Sequence, residues 1–340
     1  MNAKEKNSKT AKSRGNSGGY HPGTVNGYNP YPEDPHELLK HTLKYETTHN
    51  VFAPFTRHFG KEFPVEAGRY RLVLGRGCPF SHRIEIIWKL LGLEKAITAG
   101  FVAPPKSPTG WIFTLDPGGI DPVLKIHNLG EAYVKVAPGY AGRASIPSII
   151  DIPSGGVVSC EDLSLGTELE SLWKPFHKKD APDLYPEKLR KKIDALNKIL
   201  LEVNGLPYDI NFSESQKEYD ENFDAFFGRL DDFEKTLGKR RYLLGEEITD
   251  SDTKLFPTLV RFDVVYYHSF KANRNSLREF PNLWRYTQDL YSIKAFRDST
   301  DFAAIKEGYY LGNLFVEPKI LIKGPDLSHW GRRKKKAPKD

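Results

Sequence analysis

Two cysteines occur in 340 residues, and one of them, Cys78, lies in the stretch LGRGCPFSHRIEIIWKLLG at 74–92. Glycines at 75 and 77 let the backbone turn sharply after a strand. Pro79 suits a first helical position, where a missing N–H costs nothing. Cys78 is therefore expected at a helix N-cap, facing the free N–H groups of Phe80 and Ser81 and the positive end of the helix dipole, a setting that stabilises a thiolate. His82 and Arg83 can add positive charge. His82 has no evident partner to make it a base and reads as a surface residue of the first turn. The bland alternative for Cys78 is a small buried residue before a turn, but the glycine turn and the N1 proline favour a nucleophile. Position 81 is serine, so there is no CxxC dithiol. The chemistry left is monothiol: Cys78 attacks a sulfur or an activated carbon, and an external small thiol resolves the product.

That external thiol needs a docking place. IPS at 146–148 precedes a strand, and SCED at 159–162 opens a helix. A cis Ile146–Pro147 bond would turn backbone N–H and C=O groups toward the cysteine, so that a peptide-like ligand could hydrogen-bond as an added strand. Glu161 and Asp162 could grip an ammonium group, and the helix N–H groups a carboxylate. Each motif alone reads as an ordinary turn; in this order after Cys78 they gain weight.

The elements that must position these residues follow from periodicity. A strand is predicted at 70–74. The next helix carries Phe80, Ile84, Ile87, Trp88 and Leu91 on one face and stops at Gly92. AITAGFV gives a second strand. Two short strands meet at Ser154-Gly155-Gly156, and a helix starts at about Glu161. From about Pro186 the pattern is helical only, with Leu189, Ile193, Leu196, Leu200 and Val203 on one helix. Tyr219, Phe223, Phe226, Leu230, Phe233 and Leu237 mark the next. Thr249 and Asp252 form a capping box with Ile248 as staple, and FPNLWRYTQDLY predicts a further helix. The fold class is α/β followed by all-α. An extended, partly disordered segment is expected over 1–64, a thiol-binding domain over 65–178, a helical domain over 179–315, and a C-terminal extension with a basic tail over 316–340.

Bulk properties exclude several classes. The composition is 39% hydrophobic, 12% aromatic and 28% charged, that of an ordinary globular protein. No run approaches the roughly 18 apolar residues needed to span a bilayer. The N-terminus lacks the apolar stretch of a secretory signal, and two cysteines cannot form a disulfide framework, so a cytoplasmic, reducing compartment is expected. The net charge of +6 is concentrated in the two tails. These read as solubilising, with contact to nucleic acid or anionic lipid as the alternative; the near-neutral body argues against a nucleic-acid protein. Ten scattered histidines give no metal-ligand spacing, and GRG lacks the further glycine of a nucleotide loop.

These residues carry a family resemblance. FPVEAGRYRLVLGRGCPFSHR resembles the segment ending in CPWAHR of the Xi-class glutathione transferases, also called glutathionyl-hydroquinone reductases. VKVAPGYAGRASIPSIID is similar to that family's stretch ending in VPVLWD. KRRYLLGEEITDSDTKLFPTLVRFDVVYYHSFKAN, FPNLWRYTQDLY and IKEGYYLGN continue the match, collinear from roughly Phe55 to Pro325. The resemblance implies a thioredoxin-like N-terminal domain, a helical glutathione-transferase C-terminal domain and a homodimer. It implies removal of glutathione from S-glutathionyl-hydroquinones through a Cys78 mixed disulfide, with a second glutathione releasing oxidised glutathione. Trp111, Ile146, Pro147, Glu161, Asp162 and Phe80 would then bind the thiol co-substrate. Tyr208, Tyr310, Tyr266 and Tyr267 would surround the aromatic substrate, with Lys271 at the border. Arg261 and Asp263 read as structural polar groups of the helical core.

The chain departs from the family pattern at three places. Phe80 and Ser81 stand for Trp and Ala, Asp162 for Ser, and Cys160 for Asn. Adjacent carboxylates at 161 and 162 favour a more cationic head group, so another low-molecular-weight thiol stands beside glutathione as co-substrate. Cys160 reads as a packed small residue, with a resolving thiol as the alternative. Two other functions share these residues: a broader thiol-disulfide or dehydroascorbate reductase of the omega type, and a non-catalytic binding protein on the same fold.

Overall fold

The computed structural model describes residues 55–103, 106–107, 110–138, 140, 144–311 and 319–331. The readings of the N-terminal coil up to 54 and of both basic tails lie outside the described residues.

Strand β1, Tyr70–Leu74, is buried along its whole length, as a central strand of alternating Leu, Val and Tyr requires. It pairs in parallel with β2, Ile97–Phe101, through a helical crossover. That helix is α1, Pro79–Leu90. A two-stranded ribbon, β3 (Lys106–Ser107) and β4 (Gly110–Trp111), and the helix α2 (Gly130–Val136) intervene before β5 (Ser148–Asp151). β5 runs antiparallel to β1, and β6 (Gly156–Ser159) antiparallel to β5, giving the order β2-β1-β5-β6. The helix α3, Asp162–Ser171, then lies against α1. This is a thioredoxin-like arrangement, with the loop after β1 and the loop before β5 meeting at one end of the sheet.

From Arg190 onward the chain is helical: α4 (Arg190–Phe212), α5 (Gln216–Leu237), α6 (Asp250–Arg261), α7 (Pro281–Tyr291), α8 (Lys294–Ser299) and α9 (Phe302–Tyr310). α4 runs through Pro207, past the point at which Gly205 and Pro207 would end an isolated helix. Its buried residues Leu200, Val203, Leu206 and Ile210 hold both sides of the proline in the core, and tertiary packing outweighs local propensity. The Thr249–Asp252 capping box forms as expected. After α6 the chain widens into a π-helical turn, Phe262–Tyr266, closed by the Tyr267 N–H on the Phe262 carbonyl at 2.9 Å.

The packing of α1 changes the picture drawn from its apolar spacing. Ile84, Ile87, Trp88 and Leu91 are buried, but Phe80 on the same stripe is 47% exposed. No element among the described residues covers that end of the stripe. The opposite, polar face is covered by α6 and α8, so His82 is fully buried and not a surface residue. Arg83 is buried as well, between the Asp250 carboxylate at 2.7 Å and the Asp162 carboxylate at 3.2 Å. Residues Phe55–Phe63, read as coil, run beside β6: the Arg57 N–H donates to the Val158 carbonyl and the Cys160 N–H to the Phe55 carbonyl. Phe59 enters the core between Tyr70 and Trp173.

Candidate active site

Cys78 is the N-cap of α1, with extended backbone angles and Pro79 in the first helical position. Its own N–H closes the turn onto the Gly75 carbonyl at 2.9 Å, and its carbonyl accepts the first helical bond from His82 at 3.0 Å. Gly75 must lack a side chain here, because a Cβ would come within 2.4 Å of Ile146 Cδ1. The Ile146–Pro147 bond is cis, and the Ile146 carbonyl lies 3.7 Å from Cys78 Sγ, which donates to it. Cys78 packs, half-buried, against a cluster that includes Trp111, Ile146 and Cys160. The fold thus brings together Cys78, Trp111 and the Ile146–Pro147 turn, with Phe80 exposed on the next turn of backbone.

A residue not singled out in the sequence holds the 145–148 turn. The Tyr133 hydroxyl on α2 lies 2.8 Å from Ser148 Oγ, which donates to the Ser145 carbonyl at 2.6 Å. Burial and the adjacent Cys160 push the Tyr133 hydroxyl well above its ordinary value. Burial likewise raises the Cys160 thiol, although Tyr133 and Ser145 pull it back. Cys160 is buried in the same cluster as Trp111 and Ile146.

The two adjacent acids are already engaged. Glu161 is the N-cap of α3, and its carboxylate accepts the N–H of Leu163 at 2.8 Å and of Ser164 at 2.7 Å. Those N–H groups are therefore not open to a ligand carboxylate, contrary to the expectation from the motif. Asp162 turns away from the ligand side onto Arg83, which also donates to its backbone carbonyl at 2.6 Å. The reason lies in the burial of Arg83: a guanidinium taken out of water must be matched by acceptors, and here the Asp162 and Asp250 carboxylates supply them. The case for a more cationic head group, which rested on two free acids, loses one of them.

On the other side of Cys78 stand tyrosines. The hydroxyls of Tyr208 on α4, Tyr266 in the π turn and Tyr309 on α9 meet, with Tyr208 bonded to Tyr309 and 3.5 Å from Tyr266, and Tyr266 3.4 Å from Tyr309. Burial pushes all three well into the protonated range. For Tyr266, Arg261 opposes that shift and the Cys78 side chain adds to it, which marks thiol and phenol as electrostatic neighbours. Tyr310, the residue named from sequence, points elsewhere: its hydroxyl donates to the Val264 carbonyl at 3.1 Å and accepts from Ser269 at 2.7 Å. On a helix, adjacent residues diverge by about 100°, so the neighbouring Tyr309 takes the place in the cluster. Tyr267 is half-buried and meets His268 edge-on, outside the hydroxyl cluster. Asp263 accepts the Leu277 N–H at 2.8 Å, a structural role. Lys271 is exposed, its carbonyl taken by Tyr219.

Residues 216–289 match the model of the glutathione S-transferase C-terminal domain. The chain is 33% identical over 263 residues to the glutathionyl-hydroquinone reductase YqjG of Escherichia coli, covering 76% of this chain and 80% of that protein. The chain belongs to the Xi-class glutathione transferases. Among solved structures, a glutathione transferase from Gordonia bronchialis superposes with a TM-score of 0.77 at 43% identity, over 79% of this chain and 84% of that one. The glutathione-bound structure of YqjG gives 0.74 at 32% identity, over 80% and 92%. Within this Xi-class frame the cysteine helix start, the cis-proline turn and the tyrosine cluster come from five separate stretches of sequence, and the fold closes them around one thiol.

Proposed function

We propose that the protein reduces S-glutathionyl-hydroquinones, with glutathione as the thiol co-substrate. The observation that carries this reading is Cys78 Sγ at a helix N-cap, 3.7 Å from the Ile146 carbonyl that precedes the cis proline, with the Tyr266 phenol as an electrostatic neighbour. The reacting form is the Cys78 thiolate. It attacks the sulfur of the conjugate and forms the Cys78–glutathione disulfide as the sulfur–carbon bond breaks. The electron pair of that bond stays with the ring carbon, which takes a proton and becomes the free hydroquinone. A second glutathione thiolate attacks the mixed disulfide, releasing oxidised glutathione and the Cys78 thiolate. Per turnover, one conjugate and one glutathione give one hydroquinone and one glutathione disulfide.

Trp111, Ile146, Pro147 and Phe80 form the glutathione side, the Ile146–Pro147 turn offering its backbone to the cysteinyl part. Glu161 meets the γ-glutamyl end from its capping position. Tyr208, Tyr266 and Tyr309 lie toward the ring; each phenol carries one O–H, the Tyr208–Tyr309 bond uses one of them, and an O–H not spent within the cluster donates to a ring oxygen. YqjG is known with glutathione bound, which supports glutathione over another small thiol. A homodimer in the cytoplasm, where reduced glutathione is available, completes the reading; no helix among the described residues is long and apolar enough to cross a membrane.

Intact-protein mass spectrometry after incubation with a glutathionyl-hydroquinone tests it. The expected result is hydroquinone release with a glutathione-sized adduct on Cys78, and neither in Cys78→Ala, a loss of roughly a thousandfold or more in rate. Release of hydroquinone by the alanine variant at the wild-type rate would overturn the mechanism.

A further inference from the structure

The turn that presents Cys78 is gripped from both sides by the helical half of the molecule. On one side is Arg261, the last residue of α6, fully buried and without a carboxylate ion-pair partner among the described residues. Its Nη2 donates to the carbonyls of Arg76 at 3.3 Å and Gly77 at 3.1 Å, the two residues before Cys78. Its Nη1 donates to the Pro257 carbonyl at 2.9 Å and lies 3.1 Å from His82 Nδ1, four residues after Cys78.

The hydrogen-bond directions at His82 are fixed by its surroundings. A guanidinium has no acceptor, so His82 Nδ1 must accept and Nε2 must carry the proton. That proton points at Thr300 Oγ1, 3.3 Å away, which itself donates to the Phe296 carbonyl at 2.8 Å. Burial, then Arg261 and Lys89, keep the imidazole neutral. Both ring nitrogens are committed, so His82 is a strut, not a base.

On the other side is α9. A Cβ on Gly77 would lie 3.0 Å from the Ala304 carbonyl and 3.3 Å from Gly308 Cα; one on Gly308 would lie 3.2 Å from Gly77 Cα. Two glycine backbones touch here, and the residue after Gly308 is Tyr309 of the hydroxyl cluster.

We infer that Arg261 is a positioning residue for Cys78, which together with neutral His82 and the Gly77–Gly308 contact fixes the thiol turn at one distance from the tyrosines. This rests on the proposed reaction for its consequence but not for its geometry. Without the guanidinium, two part-buried carbonyls lose their donor, and the turn relaxes to find others. Lysine keeps the charge but has one nitrogen, which cannot serve the Arg76 and Gly77 carbonyls and also the Pro257 carbonyl and His82 Nδ1.

The test is the rate of iodoacetamide alkylation at Cys78, read by peptide mass spectrometry, beside steady-state kinetics in Arg261→Lys and Gly308→Ala. In Arg261→Lys, alkylation and kcat are expected to fall together by about tenfold, with KM for glutathione within about twofold, the signature of a displaced nucleophile. Gly308→Ala, which keeps every charge, is expected to change the alkylation rate by about threefold and to lower kcat. A purely structural Arg261 would lower Tm and leave both rates at wild-type values in the folded fraction, and that result overturns the inference. If Arg261→Lys does not fold, a wild-type alkylation rate and kcat in Gly308→Ala overturn it instead. Alkylation needs no hydroquinone, so a wild type that alkylates but does not turn over would sink the proposed reaction and leave the bracket standing.

Discussion

The two sides of Cys78 are made in different ways. On the proposed thiol side the groups are backbone: a helix N-terminus, the carbonyl of Ile146 and a turn pinned by Tyr133 and Ser148. On the proposed ring side they are side chains, hydroxyls contributed by α4, the π turn and α9. A backbone-built site tolerates exchange of its own side chains and depends on the anchors behind it. A side-chain-built site is damaged one atom at a time. The chain's departures at Phe80, Ser81 and Asp162 all fall on the backbone-built side, and its sheet and cysteine turn are nonetheless formed.

The strongest way to break the thiol side is therefore from behind. Asp250→Ala leaves Arg83 and Lys254 without the carboxylate they share at 2.7 and 3.3 Å, and is expected to cost about 3 kcal/mol or more in urea unfolding. Wild-type stability should also fall in acid, because Asp250 is held below its ordinary range, chiefly by Arg83 and Lys254 against the cost of burial. A depressed carboxylate stabilises the fold above the unfolded value and loses that contribution as pH falls.

Glu170 acts in the opposite sense. Burial, then Asp250, push it well above its ordinary value. Below the unfolded value it is protonated in both states. As pH rises, the unfolded chain ionises first, and stability drops by up to about 1.4 kcal/mol per pH unit. Glu170→Gln should flatten the dependence between pH 5 and 7 in urea titrations; an unchanged slope would show that Glu170 is charged in the fold.

On the ring side the sharpest contrast is between adjacent residues. Tyr309→Phe is expected to lower kcat/KM for the conjugate by about tenfold, one hydrogen bond in a dry site. Tyr310→Phe should stay within about twofold and instead lower stability by about 1 kcal/mol. Equal effects on kcat/KM would merge the two residues into one role. The smallest effect is expected at Glu161→Ala, about 1 kcal/mol of helix capping, accompanied by a higher KM for glutathione.

Why one side was legible and the other was not follows from this difference. A helix start, an N1 proline and the β5–β6 hairpin are local, and glycine and proline announce them within a few residues. Strand β1 and the capping box at Thr249 fall where periodicity puts them for the same reason. The tyrosine cluster joins residues 208, 266 and 309, which no spacing rule connects, and the resemblance named Tyr310, whose hydroxyl bonds Ser269 and Val264 outside it. His82 was misplaced because burial on the polar face of α1 depends on α6, more than 160 positions later. Arg261 was visible as a buried structural group, but its hold on Arg76 and Gly77 exists only once the two halves have docked.

Phe59 carries a practical consequence. Glycine, proline and polar residues make everything before residue 65 look dispensable, yet this ring is 2% exposed and sits edge-on to Tyr70 and Trp173. A chain begun at residue 65 would lose the ring and the stretch that lines β6, opening a hole in the core and an unpaired strand edge at once. Such a trimmed protein would advertise a sticky border to its copies, and its aggregation would be mistaken for instability of the domain itself.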